Sequence, residues 1–498
     1  MRAVILVLLA ASSAQASTIV ELGPDALEAG AERVVEARVH TREARWNADH
    51  TMIETHATLM VETARKGGAI TALEIVVPGG TIDGRQQIVF GTPAVMLGER
   101  ARWFLTARGD GTYRVFGWAQ GKWPERGASF VRDPIAAERD PHRFAVNGMV
   151  WPAAELPVRY LIQTAGSADL SLPEVTAAFD AAFATWQAVP TAGLAFQNDG
   201  GTTLGLDAND DTNVMLFVES GWQFGPEAAA ATSLVIFDGM QTADIAVNGE
   251  NFTWAIGPAS TSINDDVLDL QAVMTHEIGH FSGLGHSNRS FDTMFFSWAP
   301  WQGQRSISID DKLGLTSLYP IAGSECVDAS SCAGNETCEM FAQGRLCAGT
   351  PDPVGATCNY DRIECDGFCL FTAADLSSGF CSRFCDTNAD CPLTHHCDEA
   401  SANGATVKVC FAGAQPPRPT PCTDDSSCPG GQFCEVAIGA CTFDCRSMED
   451  CGAGATCSPR GACLEDEPGG CCNTSSSSPA WLLGLLWLAV ISRRRPAK

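Results

Sequence analysis

Every one of the 22 cysteines lies at or after Cys326, and none occurs in the first 325 residues. The chain therefore has two ways of being stable. Its first two-thirds must rely on hydrophobic cores, and its last third can rely on disulfides, which persist in exported proteins. The spacing C-x5-C-x5-C occurs four times, at Cys326/Cys332/Cys338, Cys385/Cys391/Cys397, Cys422/Cys428/Cys434 and Cys445/Cys451/Cys457. Each triple is followed by a further cysteine, at Cys347, Cys410, Cys441 and Cys463. These sixteen suggest four modules with two disulfides each; Cys358, Cys365, Cys369 and Cys381 would add another pair of bridges. Zinc ribbons use C-x2-C spacing, which is absent. His395 and His396 beside Cys397 therefore read as part of a disulfide loop. Residues 324–465 are expected to bind or to space, with their pairing left open.

The N-terminus carries an export signal over residues 1–16: Arg2, the apolar run Ala3 to Ala11, then Ala14-Gln15-Ala16 as the cleavage pattern. Residues 17–140 alternate apolar and polar positions between Gly and Pro, as in Arg33–Val39, Ile75–Val77, Ala101–Leu105 and Tyr113–Trp118. This predicts an all-β domain, a small sandwich or barrel. His40, His50 and His56 have no ligand-like spacing. A pro-domain and a binding domain are both open readings, and 131–155 reads as a connector. The formal net charge of -27 argues against nucleic acid as a partner.

Residues 145–322 change pattern. Val158–Ile162 reads as a strand. Ser171-Leu172-Pro173-Glu174 is a capping box with Pro in the first turn. Leu172, Val175, Phe179, Ala182, Phe183 and Trp186 then repeat at helical spacing. Strands are expected at Leu194–Phe196, Val214–Val218, Ser233–Phe237 and Ala243–Val247, and a second helix from Asn264 or Asp265, with Val267, Leu270, Met274, Ile278 and Phe281 as its buried stripe. That helix carries His276-Glu277-Ile278-Gly279-His280-Phe281-Ser282-Gly283-Leu284-Gly285-His286. Residues four apart on a helix lie one above the other, so His276 and His280 offer two imidazoles to one point. Gly283 permits the turn that ends the helix, because glycine takes positive φ without steric cost. His286 can then return as a third ligand. Three histidines with an open fourth position describe a catalytic Zn²⁺ site, and Glu277 beside them is the candidate general base.

The stretch resembles the signature of the metzincin zinc endopeptidases, and the element order resembles their matrixin branch. For residues 145–322 the resemblance implies a metzincin-like catalytic domain with a mixed twisted sheet and an active-site helix; with the N-terminal all-β domain and the C-terminal disulfide-rich small modules read above, the fold class is α+β. The resemblance also implies that Met294 is the Met-turn beneath the metal. Asp310 and Asp311 would buttress that turn, although simple capping by Ser308-Ile309-Asp310-Asp311 explains them as well. With no cysteine upstream, the thiol cap of matrix metalloproteinases is impossible. Phe295 stands where some metzincins place a tyrosine ligand. Phe296, Trp298 and Trp301 are candidates for shaping a specificity pocket. Asp207, Asp210 and Asp211 offer Ca²⁺-type donors, although a solvated loop is the plainer reading.

Residues 466–498 hold Cys471-Cys472, a Ser-rich spacer, twelve apolar residues from Ala480 to Ile491, and Arg493, Arg494, Arg495 and Lys498. This resembles myxobacterial-type sorting tails, which implies membrane contact through the tail and delivery to the cell surface or beyond. Taken together, the sequence predicts a secreted or surface-attached zinc endopeptidase acting on protein or peptide substrates; the oligomeric state is unknown. The alternative is a surface adhesion protein with an inert metal domain.

Overall fold

The computed structural model describes residues 22–127, 129–130, 144–257, 267–287, 292–295, 305–322, 325–332, 337–341, 344–349, 351–365, 367–372, 376–402 and 405–413. Beyond those it describes 423, 427, 432–435, 440–443, 455–457 and 463–465. The signal, the sorting tail, and Phe296, Trp298 and Trp301 lie outside these residues. No helix among the described residues is long and apolar enough to cross a membrane. The chain divides into two units at Ala414/Gln415. The second contains the hairpins Gln432–Glu435 with Ala440–Phe443 and Ala455–Cys457 with Cys463–Glu465.

The first unit opens with a short helix α1 (Pro24–Gly30). Nine strands follow: β1 (Arg33–Trp46), β2 (Ile53–Lys66), β3 (Ala72–Pro78), β4 (Gly80–Ile82), β5 (Arg85–Val89), β6 (Arg100–Ala107), β7 (Tyr113–Val115), β8 (Lys122–Arg126) and β9 (Ser129–Phe130). The order β1-β2-β3-β7-β6 closes through a β1–β6 pairing, so five strands form a ring. The alternation anticipated the reason. Val35, Ala37 and Val39 of β1 point inward with Ala57, Leu59, Ile75, Trp103 and Leu105, while Val34 and Phe104 face outward under Leu27 of α1. The domain is therefore β-rich with one small helix. Its β4–β5 hairpin, inserted between ring strands β3 and β6, leaves the ring altogether. His56 is no ligand; its Nδ1 lies 2.7 Å from Glu74.

The second sheet comprises β10 (Val158–Gln163), β11 (Phe196–Thr202), β12 (Val214–Val218), β13 (Ala230–Phe237) and β14 (Met240–Asn248) in the order β11-β10-β12-β14-β13. The first four in that order are mutually parallel, and β13 runs antiparallel to β14. The β4–β5 hairpin continues this sheet on the outer edge of β13. One face carries α2 (Leu172–Gln187), whose Ser171 and Glu174 form the expected capping box. Five of its six apolar positions are buried, and Leu172, in the first turn, is exposed. The opposite face packs Val214, Leu216, Trp222 and Phe224 against Met52, Val89 and Trp118 of the N-terminal region. The strand expected at Leu194–Phe196 begins only at Phe196.

The active-site helix, α3 (Leu270–Phe281), starts later than Asn264 or Asp265. Val267–Asp269 is instead a strand, β16, parallel to β15 (Thr253–Ala255), which fixes Asp269 as the cap residue. Nor is the burial confined to a stripe: Ala272, Thr275 and Gly279 are buried along with the apolar positions. α4 (Ile309–Leu318) closes this region behind a Ser308/Asp311 capping box.

Three disulfide modules complete the unit. Cys326–Cys338 with Cys332–Cys347, Cys358–Cys369 with Cys365–Cys381, and Cys385–Cys397 with Cys391–Cys410 each join first to third and second to fourth cysteine. The disulfide reading of Cys397, against a metal at His395-His396, is the one observed. The Cys358–Cys381 module packs against the elements around α3 and α4. Tyr360 is buried and donates its hydroxyl to Oδ2 of Asp269, the N-cap of α3, at 2.9 Å, while Arg305 donates to both oxygens of the same carboxylate at 2.5 and 2.8 Å. Lys312 of α4 pairs with Glu364. Tyr360→Phe deletes one donor to a buried carboxylate, so it should lower stability by about 1.5–3 kcal/mol, read as an earlier midpoint in urea unfolding of the oxidised chain.

Candidate metal centre

Helical spacing alone puts His276 and His280 on one side of α3. Their rings meet edge to face, with Nε2 atoms 2.9 Å apart. The helix stops at Phe281, and Gly283 takes φ +103°. A Cβ at that position would run into the Met149 carbonyl and lie 2.9 Å from Leu318 Cδ1. The turn brings His286 back until its Nε2 lies 3.2 Å from that of His276. Three nitrogens sharing one tetrahedral Zn²⁺ at ~2.0–2.1 Å would lie about 3.3 Å from one another. The observed separations are of that size, so the donor set fits the ion. His276, His280 and His286 are the non-cysteine group among the described residues whose ligand atoms converge in this way; the other convergent groups are disulfide cysteines. Asp207, Asp210 and Asp211 do not form such a group, and Asp207 and Asp210 instead accept from Asn209 N and Thr212 N within their own loop.

The rings are oriented from behind. His276 Nδ1 lies 2.6 Å from the Thr293 carbonyl and His280 Nδ1 lies 2.8 Å from the Leu284 carbonyl. Those acceptors hold the proton on Nδ1 and turn the Nε2 lone pair toward the shared point. The Thr293 carbonyl is itself fixed, because Asp311 Oδ2 accepts from Thr293 N at 2.9 Å while also accepting from Ser308 N and Oγ. Asp311 thus caps α4 and buttresses the turn at once. Burial, with Asp292 nearby, pushes its carboxyl up to about 7. Asn147 Nδ2 bridges the carbonyls of His280 and Leu284, bracing the helix end.

Met294 is buried beneath the site, next to Gly279. A Cβ on Gly279 would lie 2.8 Å from the Trp186 ring and closer still to Met294 Sδ. The second variable position of the His-Glu-x-x-His stretch is therefore glycine because the Met-turn sulfur sits against the helix backbone there. Trp186 Nε1 donates to the Thr275 carbonyl at 2.7 Å, tying α2 to the same turn of α3.

Two residues enter the site without a sequence signal of their own. Thr232 of β13 donates its hydroxyl to Glu277 Oε2 at 2.5 Å. Phe90, which follows β5, stacks on the His280 ring with centroids 5.2 Å apart. Neither could be found from spacing, because each reaches α3 only through strand pairing far along the chain.

Burial pushes all three imidazoles below their ordinary value; neighbouring imidazoles add to this for His280 and His286, and for His276 it outweighs the opposing effects of Glu277 and the Thr293 carbonyl. The trio is therefore held neutral, as metal ligation requires.

Comparison with known proteins bears on this region. Residues 150–320 match the peptidase family described as Matrixin. Over 67 residues, 14% of this chain, the sequence is 36% identical to Metalloendoproteinase 1-MMP of Arabidopsis thaliana, covering 18% of that protein. It is likewise 36% identical over 67 residues to Metalloendoproteinase 4-MMP of the same plant, covering 19% of it. The chain thus spans less than a fifth of the length of either relative. These matches support a matrixin-like metallopeptidase region, and the matrixin family implies catalytic zinc.

Two outcomes follow from the geometry. Gly279→Ala should weaken zinc binding and cost about 1–3 kcal/mol or more of stability by overpacking, measured by metal titration and by thermal melting. Because the folded imidazoles titrate below ~6.5, these three sites hold fewer protons in the metal-free folded chain than in the unfolded chain just beneath that pH. The resulting stability is present above ~6.5 and lost as pH falls. Asp311, held up at about 7, takes up a proton in the folded chain over the same window and works the other way, so the imidazole share is read as a difference: between about pH 7 and 5 the melting temperature of the metal-stripped chain should fall relative to that of His280→Gln.

Proposed function

We propose that this chain is an exported zinc-dependent endopeptidase that hydrolyses peptide bonds in proteins. One observation carries the reading: three histidine Nε2 atoms converge in a buried site with the Glu277 carboxylate held beside them. His276, His280 and His286 would hold the ion. Bound there, zinc supplies Lewis-acid polarisation of a carbonyl oxygen and eases deprotonation of water near neutral pH. The chain's own residues supply the rest. Glu277 takes the proton of the attacking water and delivers it to the departing amine nitrogen. Thr232, donating to Oε2, fixes the orientation in which that carboxylate works. Met294 and Asp311 keep the ligands in register from below. An extended substrate would pair with the outer edge of β13, which the β4–β5 hairpin occupies in this structure, through main-chain hydrogen bonds that hold it regardless of its side chains.

Export is supported by the N-terminal signal pattern and by the six disulfides, which need an oxidising compartment. The Cys471-Cys472, apolar and arginine tail supports delivery to the cell surface. The hydrogen bond from Tyr360 to Asp269 supports a structural role at the site for the Cys358–Cys381 module.

The test is direct. Metal analysis should give about one zinc per chain, and quenched-peptide hydrolysis should stop with a chelator and return with zinc. Glu277→Ala should keep the zinc and lose hydrolysis by at least ~100-fold; hydrolysis that survives this substitution would sink the mechanism. Thr232→Val should retain zinc and KM while kcat falls about tenfold.

A further inference from the structure

The outer edge of β13 is the place where an extended peptide would pair, and in this fold it is already paired. Val89, Ile88, Gln87 and Gln86 lie opposite Ser233, Leu234, Val235 and Ile236 in antiparallel register. One residue further on, Phe90 N donates to the Thr232 carbonyl at 3.1 Å. Thr232 therefore serves two masters: its hydroxyl holds Glu277 and its backbone holds the hairpin.

Side chains alternate along a strand, so Ile88 and Phe90 share one face and Gln87 and Val89 the other. Ile88 and Phe90 pack with the cluster that includes Ile278 and Phe281 of α3. Phe90 is fully buried, and its ring lies over His280 with planes 22° apart. On the other face, Val89 joins Met52 and Trp118. Gln87 donates to Ser233 Oγ at 2.8 Å and accepts from Ile53 N at 2.6 Å, locking the hairpin to ring and sheet together. With the strand in place, His276 and His280 have no exposed surface and His286 has 4%. A substrate carbonyl cannot approach the His280 face while Phe90 covers it.

We propose that Arg85–Phe90 is an autoinhibitory strand. It fills the peptide-binding edge of β13 and caps the metal centre with Phe90, so the chain is latent until the hairpin is displaced. The contact is strand pairing and an aromatic lid, in a region that has no cysteine to offer the metal. This inference rests on the peptidase reading above.

The test uses the full zinc-loaded chain and two variants. Phe90→Ala removes the lid. Ile88→Pro removes a strand donor toward β13, since the register that pairs Phe90 N with Thr232 O also directs Ile88 N–H at Leu234. Melting curves are used to establish that each variant compared is folded. Three quantities are read: extraction rate of zinc by a chelator, hydrogen exchange of the β13 amides, and quenched-peptide hydrolysis. Latency predicts faster extraction in both variants, loss of β13 protection in Ile88→Pro, and kcat/KM raised about tenfold or more, as expected when the competent state is rare at rest. The gain should vanish in Ile88→Pro combined with Glu277→Ala. Wild-type hydrolysis as fast as that of both variants would overturn the latency and leave the peptidase reading standing. Faster extraction and lost protection with no hydrolysis in any chain would instead overturn the peptidase reading, and the inhibitory role with it.

Discussion

With the Nε2 atoms of His280 and His286 at 2.9 and 3.2 Å from that of His276 in a buried site, the imidazole lone pairs repel, and burial weakens the screening between them. A cation at their focus converts that repulsion into attraction. The surrounding structure can be read as the means of holding the unfavourable arrangement ready. Trp186 pins α3 from α2, Asn147 bridges the helix end, and the Thr293 carbonyl fixes one ring. The Met-turn fits only because Gly279 offers no Cβ. A loss at any of these points lets the rings relax apart, which lowers metal affinity without touching a ligand.

The same logic reaches outward to elements that look peripheral in sequence. Asp269 precedes the first turn of α3 and is buried, so its carboxylate needs compensating donors. Arg305 supplies a bidentate pair and Tyr360, from a disulfide module, supplies the third donor. The start of the active-site helix thus depends on a residue about ninety positions away, in a segment with a different mode of stabilisation. Asp311 works similarly at the other end, where one carboxylate oxygen serves both α4 and the turn carrying Thr293.

What could be read in the sequence was what depends on short spacings. The histidines, Gly283, the α2 capping box and the Ser308 cap are fixed by residues within about ten positions of each other, and all appear where the spacing puts them. The misplacements have long-range causes. Asn264 and Asp265 are good caps, but pairing of Val267–Asp269 with Thr253–Ala255 holds those residues as strand and delays the helix. The stripe expected on α3 is lost in full burial, because α2, β13 and the Met-turn surround the helix. Alternation revealed the β character of residues 33–115 but not that one hairpin leaves the ring, since Arg85–Val89 looks like any other short strand. Thr232 and Phe90 carry no local signal, because their roles are created by the register of β5 on β13 and of β13 on α3.

That register ties the fold's geometry to its chemistry. An unpaired sheet edge invites association, and folds commonly cover it. In a strand-binding peptidase the edge cannot be abolished, because the substrate needs it. Covering it with a segment of the same chain satisfies the exposed amides and competes with substrate for the same hydrogen bonds. The competition is intramolecular, so the hairpin acts at a high effective concentration that no dilute peptide matches. The ring of strands and its apolar contact with Trp222 and Phe224 set that concentration by fixing where the hairpin emerges. In the proposed arrangement the N-terminal domain would govern access to the metal centre through the register of β5 and the Phe90 ring that this register sets over His280.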